Sequence, residues 1–282
     1  MGFLSELTGS IRRTMGQARY RSRVQAGGSI RDRERLGMLG PRPNYAYGVL
    51  KACDLARFAG ASKVTVCEFG VATGNGLLAL CDLADRLGPA TGVEIRVVGF
   101  DTGAGLPRVE GCEDHPELWS PGDFPMVNRE ALVQRIGNRA ELIFGDIAET
   151  IDGFNNTLSP QAPLGFVSVD VDIYSSTRAA LRCLTGPPDR YPPAVAMYFD
   201  DVSFYFANRW CGELKAVDEF NEANEFRKID RDYNIAQRPR EPWHDHMYVA
   251  HILDHQLRQR PRDRQGMGLA DHMQLMRSFG LG

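Results

Sequence analysis

The sequence has six cysteines, at 53, 67, 81, 112, 183 and 211, and no two of them form a CxxC pair. That spacing excludes the paired-thiolate zinc and redox motifs. Cysteines set inside apolar runs read instead as small buried hydrophobes in a reduced chain. No apolar run approaches the roughly 20 residues that a membrane helix requires. The opening Met1-Gly-Phe-Leu-Ser-Glu-Leu7 has no charged segment followed by a long apolar core, so it is not read as a signal peptide. Lysine is scarce: Lys51, Lys63, Lys215 and Lys228 are the only ones among 33 basic residues. Charge of one sign is not in excess either. A net charge of −3 gives no basis for general binding to nucleic acid or to an anionic membrane. No internal repeat or low-complexity segment is present. These absences leave a soluble, cytoplasmic protein as the default, with self-association into a homo-oligomer left open.

What is present is an ordinary globular composition, 43% hydrophobic and 24% charged over 282 residues. The length suits one domain with extensions. Residues 1–40 form an arginine-rich extension carrying Arg12, Arg13, Arg19, Arg21, Arg23, Arg31, Arg33 and Arg35. It reads as a solvated arm or an extra helix packed on the domain, with an interaction arm as the alternative. The main domain spans 41–255, and a polar, basic tail with a short apolar end at Met273 to Leu281 occupies 256–282.

The main domain is organised around Val64-Thr-Val-Cys-Glu-Phe-Gly-Val-Ala-Thr-Gly-Asn-Gly76. An apolar, β-branched run ends on Glu68 and breaks into a loop with Gly70, Gly74 and Gly76, and helical spacing follows over 77–84. Strand, glycine loop and helix start make a cradle for the adenosine end of a cofactor. Glycine lets the backbone approach closely, and the helix start offers free N–H groups. Helical spacing precedes the cradle over Tyr45 to Ala59, with Gly60 as its stop. Further strands read over 94–101, 140–146, 164–172, 194–201, 226–229 and 247–253. Further helices read over 129–136, 175–184 and 213–224, the second with a Ser or Thr of its own as cap. Alternation of this kind implies a doubly wound, mostly parallel α/β sheet. Asp101, Asp146, Asp170, Asp172, Asp200 and Asp201 all fall where strands end. In such sheets that edge is the ligand edge.

Glu68-Phe-Gly-Val-Ala-Thr-Gly-Asn-Gly76 resembles the first motif of class I S-adenosylmethionine-dependent methyltransferases, and its glycine spacing departs from the GxGxxG of dinucleotide folds. Gly99-Phe-Asp101-Thr-Gly resembles the second motif, and Phe144-Gly-Asp146-Ile-Ala-Glu the third. Val169-Asp-Val-Asp-Ile-Tyr-Ser-Ser-Thr177, Tyr198-Phe-Asp-Asp201 and Gly212-Glu-Leu-Lys-Ala-Val-Asp-Glu-Phe220 are similar to the macrocin-type O-methyltransferases, which act on macrolide sugars. The resemblance implies a Rossmann-like, seven-stranded sheet with helices on both faces. It implies a cofactor, S-adenosylmethionine, bound by Glu68, Gly70, Ala72, Gly74, Asn75, Asp101, Thr102, Asp146 and Ile147. Asp101 would take the ribose hydroxyls and Asp146 the adenine amino group. It further implies Mg²⁺ held by Asp170, Asp200 and Asp201, with Asp170 or Asp172 as base, and a small polyhydroxylated acceptor such as a sugar-bearing natural product. Neighbouring strand residues face opposite ways. Asp200 and Asp201 can therefore share a cation only if the strand has already ended there.

Three features stay open in the sequence. Residues 107–128 form a long connection with Trp119, Phe124 and Met126, a candidate lid. His244, His246, His251 and His255 cluster near the end of the domain, as strand-end or supporting residues, a histidine base or, less well supported, a metal site. Rival readings keep the cofactor without the metal, or keep cofactor binding without catalysis.

Overall fold

The computed structural model describes residues 19–235 and 238–259. Arg12 and Arg13 of the extension and the 273–281 apolar end lie outside the described residues. In chain order the elements are α1 (Ile30–Arg35), α2 (Pro43–Phe58), β1 (Lys63–Phe69), α3 (Asn75–Thr91), β2 (Glu94–Asp101), α4 (Arg129–Ile136) and β3 (Ala140–Phe144). They continue as α5 (Ile147–Asn155), β4 (Leu164–Val169), α6 (Tyr174–Leu181), β5 (Ala194–Phe199), α7 (Gly212–Ala223), β6 (Arg227–Arg231) and β7 (Met247–Ile252). The seven strands form one sheet in the order β3-β2-β1-β4-β5-β7-β6. β1 to β5 run parallel, and β7 is antiparallel to both β5 and β6. This is the doubly wound, mostly parallel architecture that the alternation implied.

Alternation along each strand splits the core into two halves. On one face Val64 and Val66 of β1 pack with Tyr45, Val49 and Leu50 of α2 and with Leu77, Leu80 and Leu87 of α3. On the other, Cys67 and Phe69 pack with Phe100, Phe154, Leu181 and Phe199. Phe69 and Phe100 stack at 4.6 Å between ring centroids, and Phe154 of α5 meets Phe100 edge-on at 5.1 Å. Strands buried on both faces need near-continuous apolar runs; β4 and β5 are buried at every position, and Ser168, the polar residue in β4, pairs with the Tyr45 hydroxyl at 2.8 Å.

The described part of the extension is helical, in residues 19–27 and α1. Arg31 forks onto Asp54 of α2 at 2.7 and 2.5 Å, and buried Glu34 takes both guanidinium nitrogens of Arg238 at 2.6 and 2.9 Å. Of the readings open for this segment, the described residues show the packed helix.

Several boundaries differ from the sequence reading. α3 runs on to Thr91 through Pro89, because Leu87 continues past residue 84 the apolar face that Leu80 and Leu83 begin. α5 occupies a stretch for which the sequence pattern gives no helix, and Ile147, Ile151 and Phe154 bury one face of it. β3, β4 and β5 stop at Phe144, Val169 and Phe199, short of the acids that follow. No side chain within α6 or at its N-cap, Ile173, caps that helix; Asp114, which accepts the Ser175 N–H at 2.8 Å, does so from a distant loop. All six cysteines are free, four of them fully buried. Among the described residues, no helix is long and apolar enough to cross a membrane.

Candidate active site

Strand register assembles the site. Phe100, Phe69, Val169 and Phe199 are neighbours across β2, β1, β4 and β5. The residues that follow them, Asp101, Gly70, Asp170 and Asp200, therefore form one row along the carboxyl edge. Backbone bonds extend the ladder by one step: Gly70 N–H to Phe100 O at 3.0 Å, Asp170 N–H to Phe69 O at 2.9 Å, Asp200 N–H to Val169 O at 3.0 Å. β1 feeds β2 and β3 on one side while β4 and β5 lie on the other, so the row spans the point where the strand order reverses. A cavity of about 400 Å³ opens there. Of the residues expected at the site, Glu68, Gly70, Ala72, Asn75, Asp101, Thr102, Asp146, Ile147, Asp170, Asp172, Asp200 and Asp201 all line it. Gly74 does not; it caps the start of α3 in a left-handed conformation, φ 84°.

Two glycines make the cradle. A Cβ on Gly70 would sit 1.7 Å from the Asp170 carbonyl oxygen, and one on Gly76 would sit 1.7 Å from Glu68 Oε1. Neither position tolerates a side chain without moving the backbone or the acid. Glu68 is 1% exposed, and its Oε1 accepts the Tyr45 hydroxyl at 2.6 Å while its Oε2 has no partner. Burial pushes its carboxyl up to about 8; the Tyr45 hydrogen bond opposes that rise and Asp170 adds to it. Asp101 is held by backbone alone. Its Oδ2 accepts from Val71 and Ala72 at 2.9 and 2.8 Å, and its Oδ1 from Gly103 at 2.6 Å. Ala72 holds φ 43° in this tight loop. Asp146 caps α5, with Oδ1 accepting from Ala148 N–H at 2.8 Å.

The acids beyond β4 and β5 are arranged differently. Asp170, Asp200 and Asp201 each present an oxygen within 4.8 Å of the others. Because β5 ends at Phe199, the opposite-face restriction no longer applies to Asp200 and Asp201. Burial, then Asp200, Asp201 and Asp172, pushes the Asp170 carboxyl up to about 8. Burial, then Asp172 and Asp200, does the same for Asp201, whose Oδ2 is buried without a partner. Asp172 is held at φ 62°, unusual for a non-glycine residue, and burial, then Asp200 and Asp123, pushes it up to about 6. Behind them lies fully buried Glu213 at the start of α7. Its Oε2 accepts the Asp201 N–H at 2.9 Å and its Oε1 has no partner. Burial, then Asp201, holds its carboxyl well above the usual range.

The 107–128 connection is ordered. Asp114 is completely buried and ties it to α6, accepting from Glu110 N–H at 2.7 Å, Ser175 N–H at 2.8 Å and Ser175 Oγ at 3.0 Å. Trp119 and Phe124 meet edge-on at 5.8 Å and line the cavity, and Met126 is buried in the α2 and α3 half of the core.

The histidines do not cluster as a site. His246 stacks on Tyr198 at 5.8 Å, and the Tyr198 hydroxyl donates to Asp200 Oδ1 at 2.6 Å. His251 contacts Arg258, and His255 accepts from the Leu257 N–H. None of the described histidines joins the candidate metal group or lines the cavity. Sequence reasoning passed over Arg42, which lines the cavity from the segment before α2, and gave Glu213 and Asp114 no role. The signal for Arg42 was weak, one arginine among many in Pro41-Arg-Pro43, which read only as punctuation.

No family model matches the chain, and no curated protein matches it. Among solved structures it is similar to CalS11, a calicheamicin methyltransferase, at 21% identity and TM-score 0.49, covering 76% of this chain and 81% of that one. It is similar to the O-methyltransferase NovP at 15% identity and TM-score 0.41, covering 73% and 81%. The O-methyltransferase TomG from Streptomyces achromogenes follows at 14% identity and TM-score 0.39, covering 73% and 80%. At this identity and overlap the likenesses carry no weight for activity or substrate.

Proposed function

We propose that the chain is an S-adenosylmethionine-dependent O-methyltransferase that works with Mg²⁺ on a hydroxyl of a small polyhydroxylated acceptor. The observation that carries this reading is one edge of the sheet that joins the glycine cradle and Asp101 to three convergent carboxylates. The cradle fits the cofactor: two glycines stand where a Cβ would collide, and Glu68 has a buried oxygen without a partner. The carboxylates fit the metal: the donor set is all oxygen, as a hard cation requires, and Asp201 keeps a buried oxygen free. When bound, the cofactor supplies a methyl on a sulfonium, and Mg²⁺ supplies a Lewis acid that lowers the pKa of an acceptor hydroxyl.

The chain's own residues do the rest. Glu68, Asp101 and Asp146 bind and orient the donor, while Asp170, Asp200 and Asp201 hold the cation. Asp172 takes the hydroxyl proton on a carboxylate oxygen; with its carboxyl near 6, it is ionised at neutral pH and still basic enough to accept. Trp119 and Phe124 keep water from the reacting atoms, and fixed placement of donor and acceptor supplies much of the rate. A sugar-bearing natural product is the acceptor class that the resemblance of residues 169–177 and 198–201 favours. A histidine base has no support, since no described histidine lines the cavity.

Calorimetry with S-adenosylhomocysteine tests the first half: binding is expected without metal, and no binding would remove the reading. Turnover on a panel of sugars and phenols tests the second. EDTA should abolish it and Mg²⁺ restore it; turnover unaffected by EDTA would sink the metal.

A further inference from the structure

Among the described residues, the cavity is lined by eight carboxylates, Glu68, Asp170 and Asp200 among them, and by one cationic side chain, Arg42. A charge set this uneven poses a problem for the proposed cofactor. Its sulfonium and ammonium suit an acidic wall. Its own carboxylate does not, and needs a partner of opposite sign.

We infer that Arg42 is the clamp for the cofactor's amino-acid carboxylate, an inference that rests on the cofactor assignment above. Three observations support it. The guanidinium is half-buried and lies 4.8 Å from the centre of the Tyr45 ring, so its position is fixed by stacking. That same Tyr45 donates its hydroxyl to Glu68, which places Arg42 next to the acid suited to the ammonium. Among the described residues, the guanidinium has no hydrogen-bond or ion-pair partner, although the charges of Glu68, Asp170 and Asp200 act on it. It therefore has donors to offer in the planar fork that matches a carboxylate. Burial alone would weaken the cation; the neighbouring Tyr45 and acids outweigh that and keep it charged. The rival holder of the carboxylate is the N–H set at the start of α3, whose Asn75 and Gly76 line the same cavity.

The experiment compares two ligands by calorimetry on the full chain. One is S-adenosylhomocysteine. The other is its decarboxylated analogue, which keeps the adenosine, the sulfur and the amine. The wild type should bind the first at least about 30-fold more tightly. Arg42→Met should lose about that factor for S-adenosylhomocysteine while binding the decarboxylated ligand as well as before or better, because a cation has left an acidic site. Arg42→Lys keeps the charge without the fork and should fall between; it also serves if the Met variant does not fold. Equal losses for both ligands would overturn the clamp and make Arg42 a counter-ion of the acids. No loss for either would assign the carboxylate to the α3 start. A wild type that binds neither ligand removes the cofactor assignment and the clamp with it, whereas one that binds both equally removes the clamp alone.

Discussion

The two halves of the sheet edge hold acids in opposite states. Around β1 and β2 the carboxylate that matters most, Asp101, is satisfied by three backbone N–H groups of its own loops. Around β4 and β5 the acids crowd one another: Asp170 and Asp201 are pushed up to about 8, and Asp201 and Glu213 each keep a buried oxygen without a partner. The first half is preorganised before any ligand arrives. The second is internally repulsive, and the proposed cation would relieve that repulsion. Buried like charges are destabilising until something pairs with them, so a protein retains such a cluster for what it binds, not for what it adds to stability.

The largest effect should come from breaking the second half while sparing the first. Asp201→Asn removes one charge from the repulsive set without changing its shape. Turnover should fall about a thousandfold, while affinity for S-adenosylhomocysteine stays within about threefold. The ligand-free variant should also be more stable than the wild type near pH 7 by on the order of 1–3 kcal/mol, because Asn, unlike the buried acid, need not take up a proton on folding. Activity lost together with stability gained is the signature; a variant that melts lower, or loses the cofactor, would show that the two halves are not separable.

Glu68 sharpens the same contrast from the cradle side, since burial perturbs it strongly. Its carboxyl is held up to about 8 in the folded chain against an ordinary 4.5. The stability this protonated group contributes is therefore fully present below pH 4.5 and is lost as pH rises towards 8. Glu68→Gln keeps an acceptor for Tyr45 and has no proton to lose. The variant should match the wild type near pH 4.5 and exceed it by on the order of 2–4 kcal/mol at pH 8, measured by urea unfolding across that range. Parallel curves would mean that the ligand-free cradle already stabilises the ionised acid.

The 107–128 connection lines the same cavity through Trp119 and Phe124, and Asp114 tests whether it belongs to the site or only to the fold. A fully buried carboxylate accepts one hydrogen bond from within the 107–128 connection and two from Ser175, and the latter two tie the connection to the start of α6. Asp114→Ala should destabilise the chain by about 2–4 kcal/mol, through lost bonds and an uncapped helix. If the cover closes the cavity, affinity for S-adenosylhomocysteine should fall severalfold as well, at temperatures where circular dichroism shows the variant folded. Unchanged affinity would leave Trp119 and Phe124 as packing only.

How much of this was legible in the sequence follows from how local each signal is. The cradle, the strand starts and the row of strand-end acids are written in contiguous residues, and register converts that pattern into adjacency without further information. β3, β4 and β5 end two or three residues before the sequence pattern places their ends, because an acid after an apolar run looks the same whether it closes the strand or follows it. The cap of α6 could not be read, since Asp114 lies 61 residues from the Ser175 it holds. Arg42 and Glu213 were unreadable for the same reason: their meaning comes from what surrounds them in space. Arg42 is one arginine among many, and Glu213 is an acid on a helix that becomes singular only when buried behind Asp201.

The smallest effect separates two duties of a single acid. Asp146 caps α5 through Oδ1, and its position on the cavity wall also suits it to an adenine amino group. Ala at this position should lower stability by about 1 kcal/mol, the worth of an N-cap. Ser restores the cap with a shorter side chain that cannot reach as far into the cavity. If Asp146 reads adenine, Asp146→Ser should recover the stability lost in Asp146→Ala yet bind S-adenosylhomocysteine about 5–10-fold more weakly than the wild type, the worth of one hydrogen bond to a charged group. Recovery of both stability and affinity in Asp146→Ser would make the acid a cap alone, and donor recognition in this half would then fall to Asp101 and the glycine cradle.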